Sequence, residues 1–535
     1  MRRQVPWIIV ALAAVIGVGA HAQSVDRRLI DAVKRDQVEA VRSLLARNVP
    51  VQATESDGST ALHWAAQRNN LELVTMLLAA GAKADAATRY KVTPLYFAAL
   101  NGNAAILNKL LDAGASPNAV SHEGQPALLT AALTGNVDTI RSLLTRGADV
   151  NAAEPYRRQT ALMWAAAEGN AEAVALLLEA GARLDTKSSG GLTPFLFAVR
   201  NGQLDAVRVL LERGAAVGDA APDGTSALGM AVVNAYFELA AVLLEHGADP
   251  NAPDPRGSAL HTLAWLRKPG ADGAAGVGGT PKGPPVPTGS LNALQLAEAL
   301  LTHGANPNIR VDWKEPTFGK EGGTARNPPN IQLGRHFLSY IGATPFYVAA
   351  KNGDVALMRL LARHGADATI PTRAGVTPLM VAAGLDYWEG ESPGPFTGVS
   401  EAERLEAVKL ALELGNQIDV QARFGDYPMV GDVAYTLLYY PTNIDDLVEL
   451  GVGDPRWSGS NALIGAVISN QPTIVQLLVD RGANLDARTA LGWSALDVAD
   501  GVFFANAKKE YPAAAEILRK AMAARGAAQA PVAAR

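Results

Sequence analysis

The heptapeptide TALHWAA at residues 60–66 returns as TPLYFAA at residues 93–99, a step of 33 residues. An alanine at one place of this phrase recurs in steps of 33 or 34 residues, at Ala32, Ala65, Ala98, Ala131, Ala165, Ala198, Ala231 and Ala264. A unit this short cannot bury its own apolar face, so it must stack on copies of itself. The period therefore predicts an elongated repeat array rather than a globular domain.

Each unit carries the local signals of two short helices. Asp57-Gly58 is a turn dipeptide. Thr60 can cap the first helix, and Pro94 in the second phrase stands at a first helical position, where its missing N–H donor costs nothing. The second helix shows apolar residues at a helical period and ends at Gly81, a residue suited to the left-handed conformation; these apolar residues are Leu73, Val74, Leu77 and Leu78.

The closing glycines form a second periodic feature, and most open a Gly-Ala-x-x-Asn/Asp phrase; they are Gly81, Gly114, Gly147, Gly181, Gly214 and Gly247. Together, the T-P-L-H-like helix start and the G-A-D-x-N end resemble the ankyrin repeat. The resemblance implies an all-α fold, an ankyrin-repeat solenoid of helix–turn–helix units with projecting β-hairpins or turns. It also implies a role in binding other macromolecules. It covers roughly residues 26 to 520, in about thirteen units.

The N-terminus has the three parts of a secretory signal peptide. Arg2 and Arg3 supply positive charge, a mostly apolar run follows from Trp7 to Ala20, and Ala20-His21-Ala22 is an A-x-A cleavage site. The run is short for a bilayer span, although an uncleaved anchor is the alternative. We therefore expect a mature chain that begins near Gln23, has no stable membrane span and is periplasmic or secreted.

Composition and motifs give no sign of catalysis. The 47 Lys and Arg against 52 Asp and Glu leave a formal charge of −5, without the basic excess typical of a nucleic-acid binder. There is no cysteine, which excludes disulfides and thiolate chemistry. We find no zinc-protease, P-loop, dinucleotide or nucleophile-elbow motif in the mature chain. We expect no enzyme activity, no cofactor and no metal site.

The histidines fit structural roles. Three of them precede closing glycines, where a cation meets a helix C-terminus: His246, His303 and His364. His63 and His261 occupy the fourth place of the repeated phrase, where the resemblance implies hydrogen bonds between repeats. Aromatic residues at the fifth place are expected to be core residues that pack between repeats: Trp64, Phe97, Trp164 and Phe197.

The repeat pattern holds to about Asn251, is then interrupted three times, and is degenerate from Asp419 to Asp454. The first insertion is rich in Gly and Pro, which predicts a flexible loop. The predicted organisation is a signal peptide at 1–22, regular repeats at 23–266, the Gly/Pro-rich insertion at 267–290, the second helix of the interrupted repeat at 291–308, an aromatic-containing insertion at 309–342, repeats at 343–383, an insertion at 384–400, C-terminal repeats with one degenerate unit and a cap at 401–525, and a disordered tail at 526–535.

The second and third insertions carry aromatic residues, including Trp313, Tyr387 and Trp388. These side chains either fix the loops to the solenoid or contact a partner or ligand. The second possibility keeps two alternative functions open. One is a carbohydrate- or small-ligand-binding module with these rings as stacking groups, and the other is an enzyme that uses the inserted loops.

In ankyrin-like arrays the hairpin tips and first helices form the concave binding face. The predicted tips carry residue types enriched at interface hot spots, together with one histidine: Arg89, Tyr90, His122, Tyr156, Arg157 and Arg158. We expect these residues to form one surface that faces an acidic or mixed protein surface; solvated turns are the alternative. The favoured function is a non-enzymatic, monomeric scaffold that binds a protein partner through its concave face and hairpin tips.

Overall fold

The computed structural model describes residues 26–121, 123–254, 257–267, 286–311, 342–385, 399–423, 458–504 and 507–529. They divide into two compact units between Pro155 and Tyr156. Within these residues, no helix has both the length and the apolar character that a membrane crossing requires.

Helices occur in consecutive pairs throughout both units. The first unit contains α1 Arg28–Lys34, α2 Val38–Ala46, α3 Ala61–Gln67, α4 Leu71–Ala79, α5 Pro94–Leu100, α6 Ala104–Asp112, α7 Ala127–Thr134 and α8 Val137–Thr145. The second unit contains α9 Ala161–Glu168, α10 Ala171–Glu179, α11 Pro194–Arg200, α12 Leu204–Glu212, α13 Ala227–Val233, α14 Phe237–Glu245, α15 Ala259–Arg267, α16 Ala293–Thr302, α17 Pro345–Lys351, α18 Val355–Arg363, α19 Pro378–Ala383, α20 Glu401–Glu413, α21 Ala462–Ile468, α22 Pro472–Asp480, α23 Ala495–Ala499 and α24 Pro512–Gln529. A two-stranded antiparallel ribbon pairs β1 Phe503–Phe504 with β2 Ala507–Lys508.

The helix ends follow the predicted local signals. At the start of α11, the Thr193 hydroxyl accepts the backbone N–H of Leu196 at 3.3 Å, and Pro194 occupies the first turn. At the end of α4, Gly81 has a φ of +87°. Its N–H donates to the Leu78 carbonyl, and the Ala82 N–H donates to the Leu77 carbonyl, each at 2.9 Å. These two hydrogen bonds satisfy carbonyls in the last turn of the helix. They require a left-handed residue at position 81, which explains why glycine recurs there.

The core of each repeat lies between its two helices and continues into the next repeat. In the second repeat, Leu73, Val74 and Leu77 of α4 are fully buried, as are Ala65 and Ala66 of α3. The first helices of neighbouring repeats, α3 and α5, also pack on each other. Alanines on the first helices permit this close approach because they have no side chain beyond Cβ. The all-α ankyrin solenoid predicted from the sequence is therefore confirmed.

Asparagines of the Gly-Ala-x-x-Asn phrase bind one repeat to the next. Asn118 donates to the Gly147 carbonyl at 3.1 Å and accepts the Asp149 N–H at 2.8 Å. Asn251 and Asn308 form the same two bonds across the first two insertions. Asn251 donates to the Gly304 carbonyl, 53 residues along the chain, and Asn308 donates to the Gly365 carbonyl, 57 residues along the chain. Both bonds measure 2.9 Å. The insertions therefore leave the stacking of the flanking repeats unchanged.

The repeats on either side of the degenerate region are direct neighbours. Helix α19 packs on α21. The Asp419 carboxylate accepts the Asn484 N–H at 2.7 Å, 65 residues along the chain, and Gln421 donates to the Gly459 carbonyl at 2.8 Å. The bond from Asn484 to Asp419 matches the one that Asp149 makes to Asn118, so the described residues on the two sides are joined directly. Residues 424–457, which include most of the predicted degenerate unit, lie outside the described part of the chain.

The last described helix lies in the segment for which the sequence predicts a capping helix. Helix α24 packs on α22 and α23. Its Arg525 guanidinium makes two bonds to the Asp486 carboxylate, at 2.7 and 3.0 Å. A polar outer face of this kind is what the end of a repeat array requires.

Candidate partner-binding surface

The first candidate tip is Arg89-Tyr90-Lys91, in the hairpin before α5. Thr88 donates its N–H to the Val92 carbonyl at 2.9 Å, which closes the hairpin, and the Arg89 N–H donates to the Asp57 carbonyl of the preceding tip at 2.8 Å. The Arg89 guanidinium lies 4.6 Å from the centre of the Tyr90 ring and donates to its hydroxyl. Tyr90 is 41% exposed. The sequence therefore places a cation–aromatic pair on a braced turn.

The second candidate tip, Tyr156-Arg157-Arg158, precedes α9 and belongs to the second unit. Tyr156 is 76% exposed, and both arginines are exposed. The Arg157 carbonyl accepts the Ser189 N–H at 2.8 Å, so this tip is also held by the next one along the chain. Its composition repeats that of the first tip, with one tyrosine and two cations.

Four of the predicted site residues lie outside the described residues: His122, Trp313, Tyr387 and Trp388. The described ones lie on two tips in different compact units. Their grouping on one surface stays a prediction.

Both candidate tips hold a cation in a backbone conformation that usually selects glycine. Most described repeats have a glycine with positive φ two residues before the N-cap of their first helix: Gly58, Gly124, Gly191, Gly224, Gly342, Gly375, Gly459 and Gly492. Lys91 and Arg158 occupy this place with φ of +60° and +54°. Sequence reasoning did not select Lys91. A position-by-position comparison of the repeats would have identified Lys91, because it stands where most repeats have glycine.

The aromatic residues at the fifth place of the phrase are less buried than expected. Phe197 is 5% exposed, as a core residue should be, but Trp64, Phe97 and Trp164 are only half-buried. The prediction of a core position is thus wrong for these three rings, each of which keeps part of its surface accessible.

Trp64 illustrates how such a half-buried ring is held. Lys34 lies over it, with Nζ 4.2 Å from the ring centre, and the indole N–H donates to Glu55 at 2.8 Å. Lys34 and Glu55 are themselves an ion pair at 2.6 Å. The three side chains form a compact cation–aromatic–carboxylate cluster that fixes the ring while leaving part of it accessible.

The first helices of three later repeats are completely buried. Every residue of α17, α19 and α21 is buried, including Lys351 at 4% exposure. By contrast, α3 exposes Gln67, and α5 exposes Leu100, which is 45% exposed. Of the first helices just compared, those of the early repeats are the ones that can meet a partner.

The two histidines of the T-P-L-H phrase join successive repeats, as predicted. His261 is fully buried, accepts the Ser258 N–H at Nδ1 and bonds through Nε2 to the Ala343 carbonyl of the next repeat at 3.0 Å. His63 makes the same bridge to the Val92 carbonyl at 3.0 Å. Burial lowers the pKa of His63, and it lowers that of His261 to about 4. Both side chains therefore act as neutral structural bridges.

The other predicted histidine roles are also structural. The rings of His246 and His303 bond to carbonyls one turn earlier, Val242 and Ala299, at 2.9 and 2.8 Å. His364 pairs with Glu298 at 3.0 Å. Across the residues that the structure describes, no group of three or more His, Asp or Glu side chains is placed to hold a metal ion.

Comparison with known families assigns the fold. The ankyrin-repeats model matches residues 29–121, 95–188 and 181–254, and the single ankyrin-repeat model matches residues 341–373 and 458–490. These matches span more than half of the chain, so the chain belongs to the ankyrin-repeat family. Ankyrin repeats generally mediate protein–protein interaction and are typically not enzymes.

Among solved structures, the ankyrin repeat domain of human ASB11 is similar. The two share 26% sequence identity over 42% of this chain and 98% of that chain, with a TM-score of 0.38. None of the curated proteins matches the sequence significantly.

Proposed function

We propose that this chain is an exported, non-enzymatic scaffold that binds a protein partner through its hairpin tips and the open first-helix surface of the early repeats. The observation that carries the proposal is the pair of braced tips that expose a tyrosine beside cations, at residues 89–91 and 156–158. Tyrosine and arginine are over-represented among the residues that dominate interface energies.

The backbone bonds at the tips favour binding. The Arg89 N–H and the Arg157 carbonyl are each tied to a neighbouring tip at 2.8 Å. A turn that is already ordered loses little conformational entropy when a partner docks, so more of the contact energy appears as affinity. The carbohydrate-binding and enzymatic alternatives rest on the inserted segments, and no feature of the described residues favours them.

Alanine at Tyr90, Tyr156 and Arg157 together should abolish capture of the partner. The experiment is cross-linking and pull-down from the native compartment, with wild type and the triple variant compared. Loss of two exposed aromatic anchors and one arginine is expected to weaken binding at least tenfold, since single hot-spot residues contribute about 2 kcal/mol or more.

Leu71→Ala is the matched control, because Leu71 on α4 is 40% exposed, close to the 41% of Tyr90. We expect this variant to capture the partner as wild type does. Unchanged capture by the triple variant would reject the tips as the binding site, and the absence of any specific partner of the wild type would reject the scaffold function.

Export is a separate part of the proposal. It is supported by the sequence of residues 1–22, with an arginine pair, an apolar run and an A-x-A site. We expect N-terminal sequencing of the protein from its native compartment to begin near Gln23. A first residue of Met1, or recovery from the cytoplasm alone, would contradict export.

A further inference from the structure

Two cations stand where the repeat architecture calls for glycine. A residue with a Cβ in the left-handed region costs about 1–2 kcal/mol relative to its ordinary conformations. Lys91 and Arg158 accept that strain, at φ of +60° and +54°, whereas glycine occupies the place in most described repeats. Strain that a simple substitution would remove tends to persist at functional positions.

The two strained residues coincide with the two tips that also carry a tyrosine and an arginine. The tip of the preceding repeat, at Asp57, has instead a carboxylate that accepts both the N–H and the hydroxyl of Ser59. The whole chain has more acidic than basic residues, 52 against 47. The cationic tips are thus local departures from both the repeat pattern and the overall charge.

We propose that each of these tips binds carboxylates of an acidic protein segment, with Lys91 and Arg158 as the residues that determine specificity. The inference rests on the proposed scaffold function and names the chemistry of its partner. Each tip presents two exposed cations, one of which is attached to the backbone position that the strained turn fixes. Arginine and lysine side chains are the usual partners of carboxylates.

The tyrosines favour a protein over another polyanion. Tyr90 and Tyr156 are exposed at 41% and 76%, and a tyrosine ring adds apolar contact area that side chains of a peptide can use. A surface suited to phosphate groups alone needs no such ring. An acidic segment that also carries apolar residues would engage both features of each tip.

The test is selection of short random peptides on the immobilised mature chain. We expect the selected peptides to be enriched in Asp and Glu, and the affinity of a selected peptide, measured by fluorescence anisotropy, to fall as salt rises. Lys91→Gly and Arg158→Gly should each lower that affinity roughly two- to fivefold, the range for exposed charge pairs. Neither variant should lower Tm, since each removes backbone strain.

Lys83→Ala is the control, because Lys83 is an exposed cation outside the tips. Its affinity should equal that of wild type. The inference is overturned if no acidic peptides are enriched, if both glycine variants bind as wild type does, or if the chain binds phosphatidylglycerol vesicles in preference to the peptides. A partner captured by pull-down that binds both glycine variants normally would refute this inference alone. Failure of the wild type to capture any partner would refute the scaffold function itself.

Discussion

Replacing Asp354 with alanine is expected to lower the free energy of unfolding by about 3–5 kcal/mol. Asp354 is 2% exposed and joins two repeats across 87 residues of sequence, since it accepts bonds from Arg267 Nε at 2.6 Å and Nη2 at 3.0 Å. Removing the carboxylate leaves a largely buried guanidinium without its counter-charge. The variant also loses a helix cap, because Asp354 accepts the Leu357 N–H at 3.2 Å.

Two further variants separate these contributions in urea unfolding followed by circular dichroism. Asp354→Asn keeps an oxygen that can cap α18 and should be less damaging than alanine by about 1 kcal/mol. The exposed pair of Arg213 and Glu179, at 3.0 Å, is the control. Glu179→Ala should cost less than about 1 kcal/mol, the usual range for surface ion pairs. Equal effects of Asp354→Ala and Glu179→Ala would show that burial does not strengthen the Arg267–Asp354 pair.

The sequence was sufficient to predict the repeat and the residues at which its helices begin and end. Thr193-Pro194 and Gly81 act locally, through one cap bond and one left-handed residue, so their roles are readable without knowledge of the neighbours. The bridge from His261 to the next repeat was expected from the resemblance to the ankyrin repeat, which implies such a bond at the fourth place of the phrase. Features that depend only on nearby residues, and that recur at a fixed period, can therefore be predicted from the sequence.

The burial of first-helix side chains, and contacts between repeats that are distant in sequence, were not predictable. Val348 and Val381 are fully buried at the fifth place, whereas Trp64 at the same place is half-buried. The difference lies in how much of the first helix is covered by other parts of the chain, which the sequence of a single repeat does not predict. The direct contact of the repeats on either side of residues 424–457 is likewise set by a pairing between Asp419 and Asn484 that is distant in sequence.

The candidate tips show the same division. The sequence identified Tyr90 and Arg157 as interface types, since composition suffices for that. It did not identify Lys91, although the glycines at the same place in most other repeats were a sequence signal; the positive φ itself is seen only in the folded turn. Residue type suggested which tips to propose as a partner-binding surface, and backbone geometry indicated which cation to test.

Lowering the pH from 7 to about 4 is expected to reduce the stability of this protein partly through His261. Burial lowers the folded-state pKa of His261 from 6.5 to about 4. Above pH 6.5 the ring is neutral in both states, so the histidine contributes no pH dependence. Between pH 6.5 and 4 the unfolded chain binds the proton first, and stability is lost as pH falls. Below 4 both states are protonated and the loss is complete, at about 3 kcal/mol.

His261→Gln tests this directly, because glutamine does not titrate and retains an amide that can donate toward the Ala343 carbonyl. Urea unfolding at a series of pH values should give a shallower slope of unfolding free energy against pH, between pH 6.5 and 4, for this variant than for wild type, whatever its stability at neutral pH.

Burial also lowers the pKa of His63, so this histidine should add to the effect. The double variant His63→Gln with His261→Gln should therefore flatten the slope further. His303→Gln is the control, since His303 is exposed and caps a helix end. Parallel slopes for wild type and His261→Gln would show that the buried ring is protonated without loss of the bridge between the repeats.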